Sequence, residues 1–212
     1  MAKVFVVYGP RGAGKTSATV QLGEAIARRG IGVGGFFQRV VHDELERRGY
    51  DLVGMHDRSE TLPLARPGGE EKAGSAAVCT FSFSQQALED GKRWLQRDGA
   101  SDRVLVMDEI SKLEVRGEGH ASALRWAMGL SDETLLLLSV RGDQLFYVVE
   151  AFGLEEHLVG YMEIPVSDEK ISVQAERIVS ALQGTWDSLG LVDGSADNSV
   201  DGSADGLRAK AT

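Results

Sequence analysis

Residues 3–17 read KVFVVYGPRGAGKTS, and the fold follows from how that stretch changes character at Gly9. Lys3 to Tyr8 is an apolar, β-branched and aromatic run without polar alternation, the pattern of a strand covered on both faces. Gly9, Pro10, Arg11, Gly12, Ala13, Gly14, Lys15 and Thr16 then spell G-x-x-x-x-G-K-T. Glycines at that spacing let backbone N–H groups converge on a phosphate chain, while Lys15 reaches the β- and γ-phosphates and the Thr16 hydroxyl is suited to bind Mg²⁺. From Lys15 to Arg29 the residues Ala18, Leu22, Ala25 and Ile26 recur at helical spacing, and Gly30 stops the run. The glycine loop therefore opens a helix whose positive dipole end faces the same anion.

Outward from this unit, Ile31 to Val41 returns as a strand, and Val40 to Met55 reads as a β-hairpin around the charged segment HDELERR. Pro63 to Ala77 holds two prolines and three glycines and few large apolar residues, which predicts a mobile surface loop. Ser84 is placed to cap a helix running to about Arg97, and Val104 to Met107 is a buried strand. A short helix over Ser122 to Leu130, a strand over Thr134 to Val140 and a helix over Gln144 to Phe152 follow. Tyr161 to Val166 reads as extended and Lys170 to Leu182 as helical. Alternating strands and helices imply a mainly parallel sheet with right-handed crossovers. After Trp186 the unit VDGSAD occurs twice in a stretch with almost nothing to bury, which predicts a disordered acidic tail over 187–212.

The second chemical motif is Arg103 to Ile110, RVLVMDEI, an apolar strand ending in two carboxylates. Beside a phosphate loop, Asp108 is placed to hold Mg²⁺ through its water shell, and Glu109 to face the γ-phosphate and orient or deprotonate a water. Lys112 and Glu114, just behind, are expected to form a structural ion pair. His42, His56, His120 and His157 lack ligand spacing and are expected on the surface or in the hairpin. Trp94, Trp126 and Trp186 fall in or near helices and are expected to be core or interface residues.

Composition narrows the reading further. The 212 residues suit one domain, and 42% hydrophobic with 26% charged residues is ordinary for a folded soluble protein. A net charge of −9 argues against general nucleic-acid binding, since such a body repels polyanions except at a local device. The lone Cys79 excludes an intramolecular disulfide and reads as a small buried apolar residue. No apolar run is long enough for a signal-peptide core or a membrane span, so a cytoplasmic location is expected.

Taken together, GPRGAGKTS at Gly9 to Ser17, GIGVGGFFQRV at Gly30 to Val40, RGYDLV at Arg48 to Val53, DEISKLEV at Asp108 to Val115 and LLLLSVRGD around Arg141 resemble the THEP-type nucleoside triphosphatases of the P-loop kinase-like group. The resemblance spans most of Lys3 to about Leu182. It implies a P-loop NTPase three-layer sandwich over residues 1–186 with a β-hairpin insertion at about 36–55. It also implies Mg²⁺-dependent hydrolysis of ATP, GTP and other nucleoside triphosphates to diphosphate and phosphate. Gly9 to Ser17 would bind the nucleotide, Thr16 and Asp108 would hold the metal, and Lys15 and Glu109 would be catalytic. Arg39, at a matching family position, and Arg141, just after an apolar strand, are candidates to stabilise transition-state charge, as is Arg11, each against a merely solvated or structural role. Ser111 and Gln38 depart from the family pattern, which has glycine after DEI and Thr and Glu opening the hairpin. Two other classes fit the same residues. One is a kinase passing the γ-phosphoryl to a nucleotide or nucleic-acid hydroxyl, with the hairpin and the 63–77 segment as acceptor site and lid. The other is a non-catalytic nucleotide-binding accessory protein like the guanine-dinucleotide adaptors of molybdenum cofactor assembly, against which the DEI run argues.

Overall fold

A computed structural model describes residues 1–43, 46–67, 81–184 and 186. The chain runs β1 (Lys3–Gly9), α1 (Lys15–Ala27), β2 (Val33–Asp43), β3 (Glu46–Gly54), β4 (Thr61–Pro67), β5 (Phe81–Phe83), α2 (Gln85–Asp98), β6 (Val104–Ile110), α3 (Lys112–Val115), α4 (Ala121–Met128), β7 (Leu135–Arg141), α5 (Leu145–Phe152), β8 (Leu158–Glu163) and α6 (Asp168–Gln183). The strands form one sheet in the order β5-β4-β3-β2-β6-β7-β1-β8. From β2 through β8 neighbouring strands are parallel, whereas β2, β3, β4 and β5 pair antiparallel. The result is the expected three-layer α/β sandwich with a mainly parallel sheet. Instead of a hairpin alone, however, the antiparallel wing carries three strands beyond β2.

Both faces of the parallel part are apolar, which is why its strands read as unbroken hydrophobic runs. In β7, Leu135 and Leu137 pack with α1 and α6, while Leu136, Leu138 and Val140 pack with α2, α4 and α5. All five are fully buried, and each leucine contributes roughly 2–3 kcal/mol of burial. The sheet changes direction at β2. Val33 to Phe36 pair with β6, and from Phe36 onward the strand pairs with β3 instead. Gly35 marks the junction: its φ is +90°, and a Cβ there would lie 2.2 Å from the Val106 carbonyl oxygen. Only glycine allows β2 to approach β6 so closely in that conformation.

Several expectations need correcting. The predicted loop from Pro63 begins in β4, which pairs with β3 and, over Ala65–Pro67, with β5. Leu62 and Leu64 turn to one core face at period two, a signal hidden by Pro63 and Pro67. Pro63 is tolerated because it sits where the β3–β4 register shifts. The extended stretch expected over Tyr161 to Val166 starts three residues earlier, at Leu158. The rest of the 63–77 segment, Cys79 and the tail over 187–212 lie outside the described residues, and with them the expected domain boundary. Trp94 and Trp126 pack against one core and Trp186 against the other. Among the described residues no helix is long and apolar enough to cross a membrane.

Candidate functional site

The site lies where β1, β6 and β7 end side by side, the edge at which open parallel sheets bind ligands. Between β1 and α1 the chain turns tightly through Pro10 to Gly14, with Gly12 and Gly14 at φ +78° and +91°. Gly14 is the N-cap of α1, no side chain caps that helix, and its first turn carries no acid. Its leading amides are therefore free to meet an anion, aided by the helix dipole. Pro10, Arg11, Gly12, Gly14 and Ser17 are exposed around this turn, Ala13 and Thr16 are half-buried, and Gly9 is buried.

Lys15 is buried, with 3% of its surface exposed. Its Nζ donates to the Pro10 carbonyl at 3.3 Å and lies 3.8 Å from Glu109 Oε1, so the ammonium is held between loop and carboxylate. Thr16 Oγ1 donates to Asp108 Oδ2 at 2.8 Å. The same oxygen accepts from the Gln38 backbone N–H at 3.0 Å, and Oδ1 accepts from the Ser139 hydroxyl. Asp108 is fully buried, and burial, with the neighbouring Glu109 carboxylate, pushes its pKa up to about 6 against the pull of those three donors. Glu109 has a third of its side chain exposed and a φ of +59°. Its N–H donates to Ser139 Oγ at 2.9 Å.

The structure thus brings Lys15, Thr16, Asp108 and Glu109 into one connected network. Two residues without a site role in the sequence reading complete it: Gln38, there only a departure from the family pattern, and Ser139. Gln38 acts chiefly through its backbone amide, which no residue type advertises. Ser139 stood in plain view as the lone polar residue of LLLLSV, a signal that could have flagged it. The arginines are placed differently. Arg141 is registered opposite Gly9, the first loop residue, and is held by Asp143, its Nε 2.8 Å from Oδ1. Arg39 is exposed on the wing and pairs with Asp51 at 3.2 Å, outside the Asp108 network. Arg11 is exposed within the loop.

Two neighbouring expectations fail. Glu114 does not pair with Lys112: its buried carboxylate accepts from the Ser111 N–H at 2.8 Å and the His120 N–H at 3.0 Å, closing a capping box on α3. A buried carboxylate gains more from two amides than from an exposed ammonium. His120 is likewise not on the surface. It is 2% exposed, its ring lies 4.4 Å from that of Phe36, and burial lowers its pKa to about 4.

Among the described residues no three His, Cys, Asp or Glu side chains cluster to cage a metal. Thr16 and Asp108 instead offer two adjoining hard oxygens, the sparse donor set that suits Mg²⁺, which keeps most of its water and takes its remaining ligands from phosphate.

Against known proteins, the profile of a family described as NTPase matches residues 4–158. The human cancer-related nucleoside-triphosphatase is 30% identical over 143 residues, covering 64% of this chain and 74% of that protein. Its mouse homologue is 32% identical over 132 residues, covering 59% and 68%. Nucleoside-triphosphatase THEP1 of Methanocaldococcus jannaschii is 25% identical over 114 residues, covering 54% and 64%. Among solved structures, that of a human cancer-related nucleoside triphosphatase superposes with a TM-score of 0.63 at 25% identity, over 87% of this chain and 99% of its own. THEP1 from Aquifex aeolicus shares the fold, with a TM-score of 0.55 at 20% identity.

Proposed function

The chain belongs to this NTPase family, and from that premise we propose that it is a Mg²⁺-dependent nucleoside triphosphatase of broad base preference, releasing diphosphate and phosphate. The observation that carries the reading is the hydrogen bond from Thr16 in the phosphate loop to Asp108 at the end of β6, with Glu109 and Lys15 beside it. Loop amides and Lys15 would bind the phosphates, with Lys15 exchanging its present contacts with Pro10 and Glu109 for phosphate oxygens. Thr16 and Asp108 would hold Mg²⁺, which when bound neutralises charge on the phosphates. Half-exposed Glu109, facing the γ-phosphate, would orient the attacking water and accept its proton. Arg141, beside the loop opposite Gly9, is better placed than Arg39 on the wing to meet developing charge, and each would first have to leave its aspartate, Asp143 or Asp51. Catalysis in this reading rests on positioning and charge stabilisation.

The test follows γ-labelled nucleoside triphosphates with and without Mg²⁺. The expected outcome is label released as inorganic phosphate from several bases, only with the metal. Lys15→Ala should abolish turnover and weaken nucleotide binding. Glu109→Gln should keep binding and slow hydrolysis by about 10²-fold or more. Full kcat in Glu109→Gln would remove Glu109 from its role, and label appearing on an added acceptor hydroxyl would make the enzyme a kinase.

A further inference from the structure

Asp108 and Glu109 do not follow the regular ladder of the sheet. β6 pairs with β7 as Met107↔Leu138 and then Ile110↔Val140, so two residues of β6 stand opposite one of β7, and that one is Ser139. The extra residue is a bulge, and such irregularities commonly re-aim a side chain beside an active site. Glu109 adopts φ +59° there, a left-handed conformation that costs a non-glycine residue about 1–3 kcal/mol and persists only where the surroundings over-determine it.

Ser139 is what over-determines it. The residue is fully buried. Its roles are fixed by elementary donor and acceptor chemistry: an ionised carboxylate can only accept and an amide N–H can only donate. Its single hydroxyl proton therefore goes to Asp108 Oδ1, and its lone pair receives the Glu109 N–H, displaced from the ladder. One side chain thus sets the rotation of the first carboxylate and the backbone turn that aims the second.

We propose that Ser139 is a positioning residue for hydrolysis, holding Asp108 and Glu109 in their working orientation through a two-way hydrogen bond. The proposal rests on the reading of Glu109 as the group that orients water. Removing the hydroxyl leaves the Glu109 turn without its partner, and a displacement of about 1 Å in such a group is worth about 10²-fold in rate.

The experiment is a double-mutant cycle with Ser139→Ala and Glu109→Gln. It measures kcat, the thermal transition, and the affinity for nucleoside diphosphate in EDTA. Ser139→Ala is expected to lower kcat about 30- to 100-fold, with diphosphate affinity within about threefold of the parent. In the Glu109→Gln background the same change should lower kcat by a clearly smaller factor than in the parent, because one of the two residues it positions is already disabled. An undiminished kcat in Ser139→Ala, an equal fall in both backgrounds, a parallel loss of diphosphate affinity, or failure to fold would each overturn the positioning role. A Glu109→Gln variant with full kcat would instead condemn the reading of Glu109, so the two failures are distinguishable.

Discussion

Asp108 carries a charge that the folded chain buries completely, and this has a measurable cost. Its pKa of about 6 lies above the ordinary 3.8, so the folded state binds the proton more tightly than the unfolded state does. Stability contributed by this group is therefore fully present below pH 4, is lost as pH rises through about 6, and stays lost above. The gap corresponds to roughly 3 kcal/mol at neutral pH. Asp108→Asn should accordingly make the nucleotide-free protein more stable than the parent, by more at pH 8 than at pH 4.5, while removing hydrolysis. Urea denaturation at the two pH values checks this, and a variant less stable at pH 8 would contradict it. At this scale the phosphate loop was legible because each residue type has one mechanical job. The grip on Asp108 was not, because it comes from a backbone amide at Gln38 and from Ser139, whose partners exist only once β6 bulges.

Elements tell a similar story with different causes. β1, β6 and β7 could be placed from sequence because they are unbroken apolar runs, and α1 and α6 because their apolar residues recur at helical spacing. β4 could not, because Pro63 and Pro67 punctuate a stretch whose Leu62 and Leu64 face the core. α3 escaped notice for a different reason: its four residues are too few to show a period, and Glu114 closes the box that caps it. That arrangement makes a discriminating prediction about two charges spaced i, i+2. Glu114→Ala should destabilise the fold by about 2–3 kcal/mol, since two buried or half-buried N–H groups lose a charged acceptor. Lys112→Ala, at an exposed position, should change stability by less than about 0.5 kcal/mol. Equal costs in denaturant titrations would restore the ion pair that the sequence suggested.

The whole molecule is a parallel sandwich with an antiparallel wing, and the two parts meet in a single strand. Of the eleven residues of β2, only Val33 to Phe36 are registered with β6, while the remainder runs on past the edge where the phosphate loop sits. At roughly 3.3 Å per residue, the seven residues beyond Phe36 extend some 23 Å. β2 is thus a cantilever, clamped at one end by the central sheet, with Gln38 close to the clamp and His42 and Asp43 exposed at the free end. Tolerance to changes in chain length should fall steeply along it. A short flexible insertion directly after Asp43 adds little more than loop-closure entropy, about 0.6 kcal/mol for each doubling of length, and should leave turnover intact. Deleting one residue between Phe37 and Arg39 would carry every later side chain of the strand to the opposite face and withdraw the amide that grips Asp108. For anyone fitting this protein with a reporter or an affinity handle, the safe attachment point and the one forbidden edit lie within the same strand, about five residues apart.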